Sequence, residues 1–208
     1  MSTQTNTAVS SKSQLGARSL VKIGMLSAIS VILMTFSIPL PFAPTFYKID
    51  LSEVPVLVGC FAMGPIAGIS IELVRILLNF LVNGTTTAGI GEIANFIIGC
   101  ALVIPAGVIY KKKTTRNGAL LGMVVGSLCM TLAGGLLNAY VLLPVYAKAF
   151  GMPIQGLVEM GTAVNPNITS LAGFIFLAVV PFNLLKGGIV SLIVMLIYKK
   201  ISPIFRMK

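Results

Sequence analysis

The fold is decided by the apolar stretch of residues 171–197, which reads LAGFIFLAVVPFNLLKGGIVSLIVMLI. A run of more than about 20 apolar residues is long enough to cross a lipid bilayer. Asn183 and Lys186 lie in the middle of this run on one helical face, and Pro181 weakens the backbone one turn earlier. A lysine at that depth costs at least about 2.5 kcal/mol, so it faces protein, ligand or trapped water rather than lipid. The stretch therefore predicts a membrane helix with a polar site; the alternative is a lysine that pairs with a carboxylate on another helix.

The composition of the chain is typical of a polytopic membrane protein. Hydrophobic residues make up 56% and charged residues 10% of the 208 residues, and several further apolar runs follow one another along the chain. The net charge of +10 comes from basic residues in short blocks beside these runs, which indicates membrane topology rather than a nucleic-acid partner. Cys60, Cys100 and Cys129 lie inside apolar segments without metal-ligand spacing, and the chain has no histidine. We predict packing roles for the cysteines and no metal site.

The apolar runs predict an all-α membrane protein of six transmembrane helices with both termini in the cytoplasm. Basic residues flank the first run and follow the run that ends at Tyr110, so an even number of crossings must lie between these two places. Splitting residues 54–81 at Gly64-Pro65 satisfies this count and makes the second helix unusually short. The predicted helices cover about residues 20–40, 54–65, 66–82, 92–110, 118–146 and 168–198. They form one membrane domain over residues 18–202, between a disordered cytoplasmic tail at 1–17 and a basic cytoplasmic tail at 203–208.

Few side chains in the sequence could carry out chemistry. The chain has no phosphate-binding loop of the P-loop type, no histidine and no pair of carboxylates at short spacing within a helix, so we predict that it is not an enzyme. Glu72 and Arg75 are three residues apart and predict an ion pair on one helix face, with a proton relay as the alternative.

The loop between the third and fourth predicted helices is rich in small and hydroxyl residues. Residues 83–92 contain three glycines and three threonines, which either let the backbone approach a ligand closely or make a flexible connector. Glu92 and Asn95 stand at the start of the fourth helix, where they cap its free N–H groups or line a site.

Asn138 is a further polar side chain within an apolar run. It follows Gly134 by four residues, so the amide shares a helix face with a small residue that leaves room beside it. In the six-helix arrangement, Asn138 reaches a depth comparable with that of Asn183 and Lys186. Amides donate and accept while lysine only donates, and this set matches a planar ring with an imide-like edge and an apolar body. The alternative is a membrane subunit without a ligand, in which these groups only hold helices together.

Five short motifs carry a resemblance to a known family. They are Tyr47-Lys-Ile-Asp-Leu-Ser-Glu-Val-Pro55, Gly64-Pro-Ile-Ala-Gly68, Asn83-Gly-Thr85, Gly91-Glu-Ile-Ala-Asn-Phe96 and Pro181-Phe-Asn-Leu-Leu-Lys186. In this order and spacing they resemble the riboflavin-specific S components of energy-coupling factor (ECF) vitamin importers, over essentially all of the chain after residue 18. The resemblance implies a six-helix subunit of the prokaryotic cytoplasmic membrane that captures riboflavin from the outer side and has no cofactor. It further implies uptake together with an ATP-driven ECF module, which consists of a transmembrane coupling subunit and two ATPase subunits.

The resemblance also implies roles for individual residues. Asn138, Asn183 and Lys186 would contact the flavin. The first loop and the start of the fourth helix would supply walls or ribityl contacts through Tyr47, Lys48, Ile49, Asp50, Leu51, Glu92 and Asn95. Small residues on the first helix, Gly24 and Ala28, would dock against the coupling subunit. The alternatives are an S component for another vitamin or for flavin mononucleotide, and an ion-coupled small-molecule carrier that uses the intramembrane charges.

Overall fold

The computed structural model describes residues 16–41, 44, 47–85, 89–149 and 151–206, and these are mostly helical. The helices are α1 (Ala17–Thr35), α2 (Glu53–Met63), α3 (Pro65–Asn83), α4 (Ile90–Lys112), α5 (Arg116–Leu137), α6 (Leu143–Ala149), α7 (Ile154–Thr162), α8 (Leu171–Phe174) and α9 (Val180–Arg206). Two strands, β1 (Ile38–Pro39) and β2 (Lys48–Ile49), pair as an antiparallel ribbon between α1 and α2. The predicted disordered tail lies outside the described residues except for residues 16 and 17, and so do residues 207 and 208 of the predicted basic tail.

Five stretches within the described ranges are long and apolar enough to cross a membrane. They are Ala17–Thr35, Pro65–Asn83, Ile90–Lys112, Arg116–Ala149 and Leu171–Tyr198. Helix α2 has 11 residues and rises roughly 16 Å, about half of the hydrocarbon thickness of a bilayer. The prediction of an all-α membrane protein with a short second helix is confirmed, whereas the sixth crossing and the cytoplasmic placement of both termini stay predictions.

Two π-helical turns interrupt the long apolar stretches, and each comes just before a proline. The turn Asn138–Leu142 joins α5 to α6 ahead of Pro144, and the turn Ile175–Val179 joins α8 to α9 ahead of Pro181. Proline lacks an N–H group, and its ring collides with the carbonyl one turn back. A widened turn accommodates this ring, and the N–H that follows each turn bonds a carbonyl five residues earlier.

The helix boundaries differ from the predicted ones where proline and glycine act. Helix α1 ends at Thr35 instead of near residue 40, because Pro39 disfavours a helical conformation in the residue before it. The predicted break between the second and third helices is present. Gly64 has a φ of 99°, a conformation that favours glycine, and Pro65 begins α3 where its missing N–H is not needed. Helix α9 runs to Arg206, beyond the predicted end near residue 198: no glycine or proline interrupts residues 189–202, and the helix continues past Pro203.

Helices α4 and α5 approach each other closely through glycines of α5. A Cβ atom on Gly122 would lie 2.7 Å from the carbonyl oxygen of Ala106, and a Cβ on Gly126 would collide with the carbonyl oxygen of Leu102. Small residues spaced four apart let the two backbones approach, as in membrane helix pairs generally. This packing places the end of α5 that precedes Asn138 beside α4 and α9.

The two ends of the bundle differ in charge and in structure. We call one end the basic end, because it carries Lys111, Lys112, Lys113 and Arg116 where α4 meets α5. The other end, which we call the pocket end, carries the β-ribbon, α6 and α7. The sequence does not predict α7, which buries Leu157, Val158 and Gly161 in a second hydrophobic core against Phe174.

Candidate functional site

A cavity of about 490 Å³ lies between the β-ribbon and the pocket-end portions of the long helices. Its volume falls within the range of about 300–1,000 Å³ that is usual for small-molecule sites. The lining combines amide, charged, hydroxyl and apolar side chains. It consists of Met34, Thr35, Ser37, Tyr47, Lys48, Asp50, Glu53, Arg75, Asn79, Asn83, Asn95, Ile98, Met130, Asn138, Leu142, Tyr146, Phe182, Asn183 and Lys186.

The three residues predicted to contact a ring-shaped ligand all line this cavity. Asn138 is the first residue of the π-helical turn after α5, and its side-chain nitrogen donates to the Gly134 carbonyl at 2.8 Å. The side-chain nitrogen of Asn183 donates to the Val179 carbonyl at 2.9 Å. Each amide is thus held by its own helix one turn back, which leaves the remaining polar positions of these amides for other partners.

Gly134 has a more specific role than the sequence indicates. A Cβ at this position would lie 2.8 Å from the side-chain nitrogen of Asn183 and 3.0 Å from its oxygen. The side-chain amide of Asn183 therefore occupies the room beside Asn138. Because residue 134 has no side chain, α5 and α9 can approach each other at the cavity.

Lys186 forms an ion pair with Asp50 at the wall of the cavity. Its Nζ lies 3.2 Å from Oδ2 of Asp50, and the side chain of Lys186 is 15% exposed. The carboxylate that pairs with this lysine comes from the segment before α2 rather than from another membrane helix. An ammonium has three donors, so two N–H groups of Lys186 stay available to a ligand.

The electrostatic environment favours a charged Asp50. Burial raises the pKa of this carboxyl, but the positive charges of Lys186 and Arg75 and two hydrogen bonds from Ser52 outweigh burial and lower the pKa below its usual value. Asp50 is therefore a carboxylate at neutral pH, and it holds the ammonium of Lys186 at the cavity.

Tyr47 connects the first loop to Asn138 and to the hydrophobic core around Phe174. Its hydroxyl donates to Oδ1 of Asn138 at 2.5 Å, and its ring centroid lies 5.1 Å from that of Phe182 and 6.2 Å from that of Phe174. Burial and the neighbouring Tyr146 raise the pKa of Tyr47, so the hydroxyl stays protonated and can donate. The loop side chain thereby fixes the orientation of an amide on another element.

A buried ionic cluster forms the wall contributed by α2 and α3. Arg75 contacts Glu72, as the spacing predicts, and its Nη2 also lies 2.9 Å from Oε1 of Glu53. Its Nη1 donates to the hydroxyl of Ser52. All four side chains are buried, and the second carboxylate oxygens of Glu53 and Glu72 find no hydrogen-bond partner among the described residues.

Two site residues on α3 were missed by the sequence reasoning. Asn79 and Asn83 line the cavity, and the Asn83 side-chain nitrogen donates to the Asn79 oxygen at 2.8 Å. Their signal is present in the sequence, because Glu72, Arg75, Asn79 and Asn83 repeat at intervals of three or four residues. A polar stripe of this kind along an apolar helix indicates a face turned away from lipid.

The structure divides the remaining predicted wall residues into two groups. Lys48 and Asp50 line the cavity, as Tyr47 does, whereas Ile49 and Leu51 do not. Leu51 packs against the main hydrophobic core instead.

The start of α4 shows the same division. Asn95 lines the cavity, while Glu92 lies outside the lining and accepts a hydrogen bond from the Thr85 hydroxyl at 3.0 Å. Gly24 and Ala28 also lie apart from the cavity, exposed on the outer face of α1. No group of three or more His, Cys, Asp or Glu residues in the described ranges is placed to hold a metal ion.

A ligand-sized cavity with converging amides and a lysine, enclosed in a bundle of apolar helices, defines a membrane protein that binds a small molecule. Residues 18–198 match the family described as ECF transporter, substrate-specific component. This chain belongs to that family, as its motifs indicate, and is a multi-pass transporter subunit of the cytoplasmic membrane rather than an enzyme.

Relatives and a solved structure cover nearly the whole chain. Riboflavin transporter FmnP of Bacillus subtilis is 31% identical over 89% of this chain and 93% of its own length. Riboflavin transporter RibU of Staphylococcus aureus is 33% identical over 88% and 89%, and RibU of Streptococcus thermophilus is 35% identical over 90% and 84%. A structure of the S component of a bacterial ECF transporter superimposes with a TM-score of 0.70 at 31% identity, over 91% of this chain and 98% of that chain.

Proposed function

We propose that this S component captures riboflavin in the cavity and mediates its uptake together with an ECF module. The observation that carries the proposal is the convergence of Asn138, Asn183 and Lys186 on a cavity of about 490 Å³. The relatives that bear the name riboflavin transporter align with most of the chain and so support the same ligand.

The chemistry of the lining matches the isoalloxazine ring of riboflavin. One edge of this ring is an imide with two carbonyl acceptors and one N–H donor, and its other end carries two methyl groups. Side-chain amides meet both donors and acceptors, and Lys186 donates to a carbonyl or to a ring nitrogen. Met130, Leu142 and Phe182 supply apolar surface for the body of the ring.

The ribityl chain needs a different set of groups. Its hydroxyls both donate and accept, and the amides of Asn79, Asn83 and Asn95 on α3 and α4 can do the same. We place the ribityl chain along these amides, with the ring toward α5 and α9.

Uptake against a gradient requires a source of energy outside this chain, because the sequence contains no nucleotide-binding motif. We infer a transmembrane coupling subunit and two ATPase subunits as partners. The outer face of α1 supports helix docking there, since it presents Gly24 and Ala28 beside Met25, which is 62% exposed, and Ile32, which is 59% exposed. The positive charges of the basic end favour a cytoplasmic position for that end, so the cavity faces outward.

Titration of riboflavin fluorescence with detergent-purified protein tests the binding step. We expect quenching that saturates at one riboflavin per chain, with flavin mononucleotide competing more weakly because its phosphate adds charge that the lining must compensate. A folded protein that leaves riboflavin fluorescence unchanged would overturn the proposal.

Uptake into proteoliposomes tests the coupling step. Protein alone is expected not to concentrate riboflavin, and addition of an ECF module with ATP is expected to start accumulation. Accumulation driven by a sodium or proton gradient without ATPase subunits would instead identify an ion-coupled carrier.

A further inference from the structure

Ser52 lies between the buried ionic cluster and the ion pair at the cavity. The residue is fully buried and does not line the cavity. Its hydroxyl accepts a hydrogen bond from Nη1 of Arg75 and donates one to Oδ1 of Asp50. Its backbone N–H donates to the same Asp50 oxygen at 2.9 Å. One residue therefore contacts both charge groups without touching the space for the ligand.

The direction of these hydrogen bonds is determined by the chemistry of the partners. A guanidinium can only donate and a carboxylate can only accept, whereas a hydroxyl does both. The order of contacts is Arg75 to Ser52 to Asp50, and the other oxygen of Asp50 receives the ammonium of Lys186. This relay joins α3, the segment before α2, and α9.

The backbone of Ser52 is held independently of its hydroxyl. Its carbonyl accepts a hydrogen bond from the Ser30 hydroxyl of α1 at 2.8 Å. The position of the residue is therefore supported from α1, and the side-chain oxygen is left to connect the charges.

We propose that Ser52 is a positioning residue for ligand capture, which holds the Asp50 carboxylate so that the Lys186 ammonium points to the cavity before the ligand arrives. A site held in its binding geometry in advance loses less freedom on binding and binds more tightly. The inference rests on the proposed function, because it assigns to Ser52 a part in the affinity for riboflavin.

The charged groups around Asp50 determine how the relay depends on pH. Lys186 faces it from α9 and Arg75 from α3, while Glu53 and Glu72 contact Nη2 of Arg75, the nitrogen that does not bond Ser52. Removal of the Ser52 hydroxyl takes away one of the contacts that lower the pKa of Asp50, so this pKa rises. On acidification, Asp50 then becomes protonated at a higher pH.

Substitution Ser52→Ala tests the inference because it keeps every charge in place. We expect the dissociation constant for riboflavin to rise about three- to tenfold at neutral pH, as the loss of the hydrogen bond to Asp50 predicts. We also expect the loss of riboflavin affinity on acidification to occur at a higher pH in Ser52→Ala than in the wild type. Ser27→Ala is the matched control, since Ser27 is buried and hydrogen-bonded but lies outside the relay.

A double-mutant comparison separates positioning from general destabilisation. If Ser52 acts through Asp50, then Ser52→Ala causes no further loss of affinity in a protein that already carries Asp50→Asn. An equal loss of riboflavin affinity in both backgrounds would overturn the inference. So would a pH dependence of binding that Ser52→Ala leaves unchanged.

The effect of Ser52 on Asp50 can also be measured as protein stability in the absence of ligand. This measurement distinguishes a failure of the present inference from a failure of the proposed function. A group with a depressed pKa stabilises the fold fully above its unfolded-state pKa, and this contribution is lost as the pH falls to the folded-state pKa. Ser52→Ala brings the folded-state pKa of Asp50 closer to its unfolded-state value, so the fall in melting temperature of the ligand-free protein on acidification is expected to be smaller than in the wild type and to end at a higher pH. Should Ser52→Ala not fold, Asp50→Asn is expected to reduce this fall on acidification, and a fall equal to that of the wild type would overturn the inference.

Discussion

Substitution of Lys186 by methionine removes the positive charge at the cavity while keeping a side chain of similar length. In the proposed site, Lys186 donates a charge-assisted hydrogen bond to the flavin, a contact worth about 1.5–3 kcal/mol. A change of about 1.4 kcal/mol is tenfold in a binding constant, so we expect the dissociation constant for riboflavin to rise roughly ten- to hundredfold.

The same substitution also affects the fold, because it leaves Asp50 without its 3.2 Å partner. Breaking a fully buried ion pair by removing one member costs about 3–5 kcal/mol. The cost here should fall at or below the lower end of that range, since Lys186 is 15% exposed and the pair borders the cavity. The double substitution of Lys186→Met with Asp50→Asn removes the unpaired carboxylate, so it is expected to recover stability without recovering affinity.

Riboflavin fluorescence quenching and a melting curve on the same preparations measure the two effects separately. Lys148→Met is the matched control, because Lys148 is exposed on α6 and does not line the cavity. Wild-type affinity in folded Lys186→Met protein would refute the assignment of this lysine to the site. Recovery of affinity along with stability in the double variant would show that Lys186 only holds the helices together.

Two further substitutions test the geometry of the site and its wall. Tyr47→Phe removes the 2.5 Å hydrogen bond to Asn138, so riboflavin affinity measured by quenching should fall up to about tenfold, and an unchanged dissociation constant would contradict a role in orienting the amide. Gly99→Ala would drive a Cβ into the buried carboxylate of Glu72 and should lower the free energy of unfolding by about 1–3 kcal/mol. Gly188→Ala, where a Cβ meets open space, is the control, and equal melting temperatures of the two variants would count against the described packing.

The sequence predicts the parts of the site that contrast with their surroundings. Asn138, Asn183 and Lys186 are polar side chains in apolar runs, and the cost of exposing them to lipid forces them toward the bundle interior, where all three line the cavity. The break before Pro65 was predictable for a similar reason, since glycine and proline act on the local backbone.

Other parts of the site depend on contacts between distant segments. Ser52 has no feature in the sequence that sets it apart from other serines, and its contacts exist only because three elements meet around it. Asn79 and Asn83 were predictable from their spacing on α3, because they continue the polar stripe that begins with Glu72 and Arg75. Helix α7 is short and lies between the predicted fifth and sixth helices, and the sequence does not predict it because the core that stabilises it is supplied by α6 and α8.

The structure of the riboflavin complex tests the central claim most directly. The account predicts the imide edge of the ring at hydrogen-bonding distance, about 2.7–3.2 Å, from Asn183 and Lys186. It also predicts the ribityl chain beside Asn79 and Asn95. A flavin bound elsewhere, for example in the apolar groove lined by Leu132 of α5 and Phe176 of the turn Ile175–Val179, would contradict the account.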